Sequence, residues 1–201
     1  MNRKSYFIFL ALLLGFLGHV SAKPNSNKSL KQVPFNQVEI KDNFWLNRLK
    51  TQKEVLVPFA LQKTAFSVEN LRRVGDYLQG KKVDKPFDGK IFVASDLFKV
   101  MEGVSYLLML EKDAELERKM DEIIDVIASA QAPDGYLYEH HILPEHLRNP
   151  SQNRRAGKAP YSNVAESHEL YNMGHMYEGA IAYYQATGKR KWLDVAEKNA
   201  Q

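Results

Sequence analysis

Two stripes of apolar residues at helical spacing, joined by a very short turn, constrain this chain more than any other feature. After Ser95, read as the opening of a helix, Leu97, Val100, Met101, Val104, Leu107 and Leu108 recur with a helical period. Lys112-Asp113 makes the turn, and Leu116, Met120, Ile123, Ile124 and Ile127 form the next stripe. Each helix has one apolar face to bury, so the pair must lie antiparallel. A second hairpin is predicted from a helix over 167–186, the turn Thr187-Gly188-Lys189 and a helix starting near Arg190. The hairpins rhyme: LERKMDEIIDVIASAQ in the first resembles KRKWLDVAEKNAQ in the second.

The segments around these hairpins follow the same grammar. Asn43 is read as the cap of a helix running toward Val57 and checked by Pro58, and Ser67 precedes a shorter helix over 68–78. Residues 80–89 are a Lys/Asp/Gly/Pro-rich loop. A second loop, 132–162, is about 30 residues long, a length that compact domains keep mainly for function. In it, Asp134-Gly135 is read as a turn that throws Tyr136-Leu137-Tyr138 back against the helices. The last helix meets Gln201 without a Gly or Pro stop signal, and hairpin arrays bury their faces by stacking about three or more units. The expectation is therefore the N-terminal piece of a longer array.

The N-terminus carries an address. Arg3 and Lys4 precede an apolar run from Phe7 to Gly18, and Val20-Ser21-Ala22 supplies a cleavage site: a signal peptide over 1–22, cut after Ala22. A run of twelve is too short for a membrane anchor, which needs about 20 apolar residues. Residues 23–33 read as a flexible leader and 34–201 as the domain. The expected location is periplasmic or secreted. Net charge is +4, and falls to +2 without Arg3 and Lys4. With no clustered basic face, a nucleic-acid partner is not expected. The chain has no Cys, which removes disulfides, thiolate metal sites and cysteine nucleophiles from these residues.

The helix SHELYNMGHMYEGAIAYYQA has two faces. Leu170, Met173, Tyr177, Ile181 and Tyr184 fall on one side and are read as the core stripe. His168, Tyr171, Asn172, His175, Gly179 and Ala182 fall on the other, where a solvated helix would carry Lys and Glu. Two readings stand side by side: a pocket lining whose directional hydrogen bonds suit sugar hydroxyls, and a half-buried face bonded to loops. His168 and His175 lie two turns, about 10.5 Å, apart, too far to share one ion, and no metal site is expected. His140 and His141 have no assigned role. Asp96 sits in a helix first turn, where a carboxylate is favoured. Glu178 is read as solvated.

Four blocks, VPFNQVEIKDNFWLNRL, IFVASDLFKVMEG, AQAPDGYLY and SHELYNMGHMYEGAIAYYQATGKRKWLDVA, together resemble glycoside hydrolase family 127, the β-L-arabinofuranosidase-like enzymes, over about 33–201. The resemblance implies an all-α fold, here the N-terminal portion of an (α/α)6 barrel built from antiparallel hairpins. It implies an arabinofuranoside or oligosaccharide substrate and retaining hydrolysis, with a zinc-bound Cys thiolate as nucleophile and a Glu as acid/base. Those residues lie in the family domain's second half, so a full-length relative would use zinc, and this chain alone is expected to hold no cofactor and to be inactive. His168 matches a sugar-contacting His. Asp96 matches the second Asp of the family's DSD segment, whose first is Ala94 here. His175 matches a neighbouring GH pair, and with Tyr171 these residues form the expected substrate site. The rivals are a tetratricopeptide-like interaction module and a small carbohydrate-binding protein.

Overall fold

The structure, a computed structural model, describes residues 30–34 and 37–201. The expected signal peptide and most of the leader lie outside these residues; Leu30–Val33 are exposed and belong to a separate unit from Pro34–Gln201. Within the second unit every regular element is helical.

Helix α1 spans Asn43–Thr51. Its cap is Asp42, not Asn43: the Asp42 carboxylate accepts the Trp45 N–H at 3.1 Å. The chain does not stop at Pro58. A π-helical turn, Gln52–Leu56, leads straight into α2, Val57–Leu78. In that wide turn the Val57 N–H bonds to the Gln52 carbonyl. Pro58 has no N–H to offer and its ring crowds the preceding turn, so a locally wider helix accommodates it at the start of α2. Ser67 lies inside α2 rather than before it, and its hydroxyl reaches the Val93 carbonyl at 3.0 Å.

Helices α3 (Val93–Leu110) and α4 (Ala114–Ser129) form the first hairpin. Helix α3 starts two residues before Ser95, whose hydroxyl bonds back to the Phe92 carbonyl. Asp113 caps α4 by accepting the Leu116 N–H at 3.0 Å. Two single-turn helices, α5 (Glu139–Ile142) and α6 (Asn153–Ala156), punctuate the long connection. Helices α7 (Glu169–Thr187) and α8 (Lys191–Asn199) form the second hairpin.

The core joins Leu97, Phe98, Met101 and Val104 of α3, Met120, Ile124 and Ile127 of α4, Met173, Met176, Ala180 and Tyr183 of α7 and Trp192 of α8. Helices α3 and α7 make the broadest helix–helix interface and run parallel. The Asn172 amide bonds to the Ile91 carbonyl, and seven residues further along both helices Gly179 meets the Phe98 carbonyl. Helix α4 backs onto α2 and α8. Two parallel inner helices, each backed by an antiparallel partner, are the repeating arrangement of an (α/α) barrel.

The facing of α7 differs from the sequence reading. Leu170, Ile181 and Tyr184 of the expected core stripe are exposed. The buried face is Glu169, Asn172, Met173, Met176, Gly179, Ala180 and Tyr183. Small residues are inside because α3 and Trp192 press against them: a Cβ added at Gly179 would stand 2.5 Å from Trp192 Cη2 and 3.3 Å from the Phe98 carbonyl oxygen. Asn172, Gly179 and Ala182 therefore pack or tie helices together rather than line a pocket.

Candidate functional site

The connection from 132 to 168 is fastened over the helix ends. Gly135, with φ +94°, turns the chain so tightly against α8 that any Cβ would stand 2.3 Å from the Lys198 carbonyl oxygen. Side-chain amides of Gln131 and Asn199 both donate to the Gly135 carbonyl, at 3.0 and 2.9 Å. Leu137 and Tyr138 then point inward, as the Asp134-Gly135 turn implies, and the Tyr138 hydroxyl donates to the Ser167 carbonyl at 2.6 Å. His140 and His141 are structural: Nε2 of His140 pairs with Asn153 Oδ1 and Nε2 of His141 with the Ala156 carbonyl, each at 3.0 Å. Burial pushes the His140 imidazole down to about 4, so it is neutral at physiological pH. Burial pushes its neighbour Glu139 up to about 7.

This packed segment delivers His168 to the N-terminus of α7. His168 has φ +59°, a left-handed conformation rare for a residue with a Cβ. Its Nδ1 lies 2.8 Å from the Glu166 carbonyl. A carbonyl only accepts, so Nδ1 carries the proton and a neutral ring presents the Nε2 lone pair. The ring rests 5.2 Å from Phe92 and 5.6 Å from Tyr171.

Tyr171 is the hub of a polar seam between α3 and α7. Its ring meets His175 at 4.8 Å, and its hydroxyl accepts from Lys99 Nζ at 3.0 Å, which leaves the phenolic proton available to another acceptor. Lys99 also approaches Asp96 Oδ1 at 3.4 Å. The Tyr171 hydroxyl first, and Asp96 after it, hold the ammonium above its ordinary pKa against the effect of burial. One turn further, Glu102 accepts from the Tyr106 hydroxyl at 2.8 Å. There His175 Nδ1 lies 3.2 Å from Glu178 Oε2, outside hydrogen-bonding geometry. Glu178, read as solvated, thus keeps an exposed side chain beside an imidazole.

The four sequence-derived residues, Asp96, His168, Tyr171 and His175, lie along this one seam. Lys99 and Glu102 were not singled out, although Asp96, Lys99 and Glu102 step by three along an otherwise apolar helix, the signal for a polar edge. Glu169, which flanks the polar face in the sequence, is buried. Ligand-type atoms of Glu102, His175 and Glu178 lie within 4.8 Å of one another, all nitrogen or oxygen. The zinc set implied by the resemblance requires thiolates, which this chain does not contain. The residues present do not fit that group.

Residues 37–201 match the family described as beta-L-arabinofuranosidase, GH127 catalytic domain. Over 119 residues the chain is 38% identical to a non-reducing end beta-L-arabinofuranosidase of Bifidobacterium longum subsp. longum, covering 59% of this chain and 17% of that protein. A solved GH127 beta-arabinofuranosidase superposes with a TM-score of 0.72 at 38% identity, covering 84% of this chain and 26% of the other. A GH127 beta-L-arabinofuranosidase from Geobacillus stearothermophilus T6 gives 0.68 at 35% identity, covering 81% and 25%. The chain spans between 17% and 26% of the length of these relatives.

Proposed function

The chain belongs to the GH127 beta-L-arabinofuranosidase catalytic-domain family, and from that membership we propose that it is the substrate-shaping part of an exported glycosidase acting on β-L-arabinofuranosides of plant-type glycans. The observation that carries this reading is the seam itself. His168 Nε2 is a hydrogen-bond acceptor, the Tyr171 phenol a donor, Asp96 an acceptor and Lys99 a donor. A furanose ring with vicinal hydroxyls needs this alternation, because each hydroxyl both donates and accepts. The rings of Phe92 and Tyr171 beside His168 offer apolar faces for the sugar's C–H groups.

Substrate orientation is the role of these residues, with His168 and Tyr171 as the direct contacts, Asp96 holding Lys99 beside them and His175 packed against the Tyr171 ring. Bond cleavage is assigned to residues outside these 201, since zinc-thiolate chemistry in a full-length relative requires donors this chain lacks. Export rests on the N-terminal pattern 1–22. Among the described residues no helix is long and apolar enough to cross a membrane.

The test is release of L-arabinose from an aryl β-L-arabinofuranoside by the product of the complete coding frame that contains these residues. His168→Ala is expected to lower kcat/KM by about 10–100-fold, the loss of one or two good hydrogen bonds. No release of arabinose, or unchanged kinetics in the variant, overturns the assignment.

A further inference from the structure

The carboxylate of Glu169 is the first side chain of α7, yet it does not cap its own helix. It is 2% exposed, and both oxygens are engaged by groups from opposite ends of the long connection. The Tyr136 hydroxyl donates to Oε1 at 2.5 Å. The Tyr161 N–H is shared between Oε1 at 3.0 Å and Oε2 at 3.1 Å. The Tyr136 and Tyr161 rings meet edge to face at 5.5 Å, so the acid sits beneath an aromatic pair.

Tyr161 and His168 are the two non-glycine residues with positive φ among the described residues, at +57° and +59°. Such conformations persist where the surroundings over-determine them. Glu169 pins the first through its N–H, and the second is its own chain neighbour. Between them, the Glu166 and Ser167 N–H groups both bond to the Asn163 carbonyl, closing a turn that ends in the Glu166 carbonyl. That carbonyl sets the proton on His168 Nδ1.

We infer that Glu169 is a positioning residue: by fastening the 161–167 turn it fixes the tautomer and aim of His168, so that Nε2 faces the sugar as an acceptor. The chain of contacts runs from the carboxylate to the Tyr161 N–H, through the turn to the Glu166 carbonyl, and from there to the imidazole. Burial, and then Glu169 itself, hold the Tyr136 phenol well above its ordinary range, so it stays a donor to the carboxylate throughout the physiological pH range. The assignment of Nε2 to a sugar hydroxyl rests on the function proposed above; the control of the tautomer does not.

The experiment is nitrogen NMR of the full chain labelled with 15N-histidine, with the His168 signals identified by His168→Gln, alongside amide exchange at Tyr161. The wild type is expected to show the Nδ1–H tautomer at His168. In Glu169→Ala, Tyr161 amide exchange should rise by about tenfold or more, and the His168 ring nitrogens should shift toward a tautomer mixture. Exposed His146 serves as the reference and should not move. Glu169→Gln keeps an acceptor for the Tyr161 N–H and should restore most of the wild-type signature. Should the alanine variant fail to fold, Tyr136→Phe removes one bond only and must move both readouts in the same direction. An unchanged His168 tautomer in a folded Glu169→Ala or Tyr136→Phe chain overturns the inference. If the ring signals shift while Glu169→Ala leaves arabinofuranoside hydrolysis by the complete protein unchanged, positioning stands and the sugar contact at His168 falls.

Discussion

Glu139 and His140 are consecutive, both buried, and draw stability with pH in opposite directions. Burial raises Glu139 from 4.5 to about 7, so the folded state holds a proton that the unfolded chain has lost. Its contribution therefore falls as pH rises from about 4.5 to 7. Burial lowers His140 from 6.5 to about 4, so the unfolded state binds the extra proton, and its contribution rises from about pH 4 to 6.5. The windows overlap and the two slopes largely cancel. Glu139→Gln removes one of them. Its melting temperature is expected to climb between pH 4.5 and 6.5 where the wild type stays nearly flat, and to exceed the wild type at pH 8. The ceiling on that difference is about 3 kcal/mol at 1.36 kcal/mol per unit. A parallel pair of pH–stability curves from calorimetry would show that Glu139 is not the opposing group. At this scale the sequence was a partial guide. His168, Tyr171 and His175 were legible because they recur along one side of a helix, and Asp96 because it opens another. The roles of Glu139, His140 and Glu169 were not, because burial of a charged or polar side chain depends on what a 30-residue loop places above it.

Helices announce themselves by periodicity, and the two hairpins stand where the apolar stripes place them. The errors lie where geometry outranks hydrophobicity. Leu170 and Ile181 are more apolar than Gly179 and Ala180, so a hydrophobic scale points the wrong side of α7 inward. Helices that approach closely bury small residues instead, and Trp192, with its neighbours Phe98 and Tyr183, takes the space that Gly179 leaves. Gly179→Ala should gain about 1 kcal/mol in helix propensity and lose more by overpacking against a fully buried indole, where inserted methyl groups cost about 1–3 kcal/mol. The net expectation is a destabilisation of up to about 2 kcal/mol in urea unfolding, with a changed near-ultraviolet Trp signal. A stabilised variant would mean that Trp192 yields easily. Pro58 misleads for a related reason: the π-turn that admits it is a backbone adjustment with no residue signature of its own.

Across the folded unit, the exposed side of α7 carries Leu170, Ile181 and Tyr184 together, with α1 adding Phe44 and Trp45. A fluorescent apolar dye is expected to bind the isolated chain, and the double substitution Leu170→Glu, Ile181→Glu to reduce that binding while leaving the helical content intact. Unchanged dye binding would locate the sticky surface elsewhere, with α1 the next region to alter. The (α/α) arrangement was legible from paired hairpins together with the four family blocks. What remained hidden at this scale was register. That α3 and α7 lie parallel with Asn172 level with Ile91 depends on a close approach no spacing rule encodes.

The fastening of the long connection also has a consequence for descent. Tyr138 bonds to the carbonyl of Ser167, His141 to that of Ala156, Arg148 to that of Leu143, Asn149 to that of Gly89, and Gln131 and Asn199 to that of Gly135. A main-chain carbonyl is supplied by every amino acid, so a mutation at Ser167 or Leu143 that the packing accepts leaves its fastening in place, whereas Gly135 and Gly89, at φ +94° and +89°, are held to glycine. Exposed positions such as Lys158, Val164 and Ala165 take no part in these fastenings and can drift among lineages while the backbone that presents His168 is inherited unchanged.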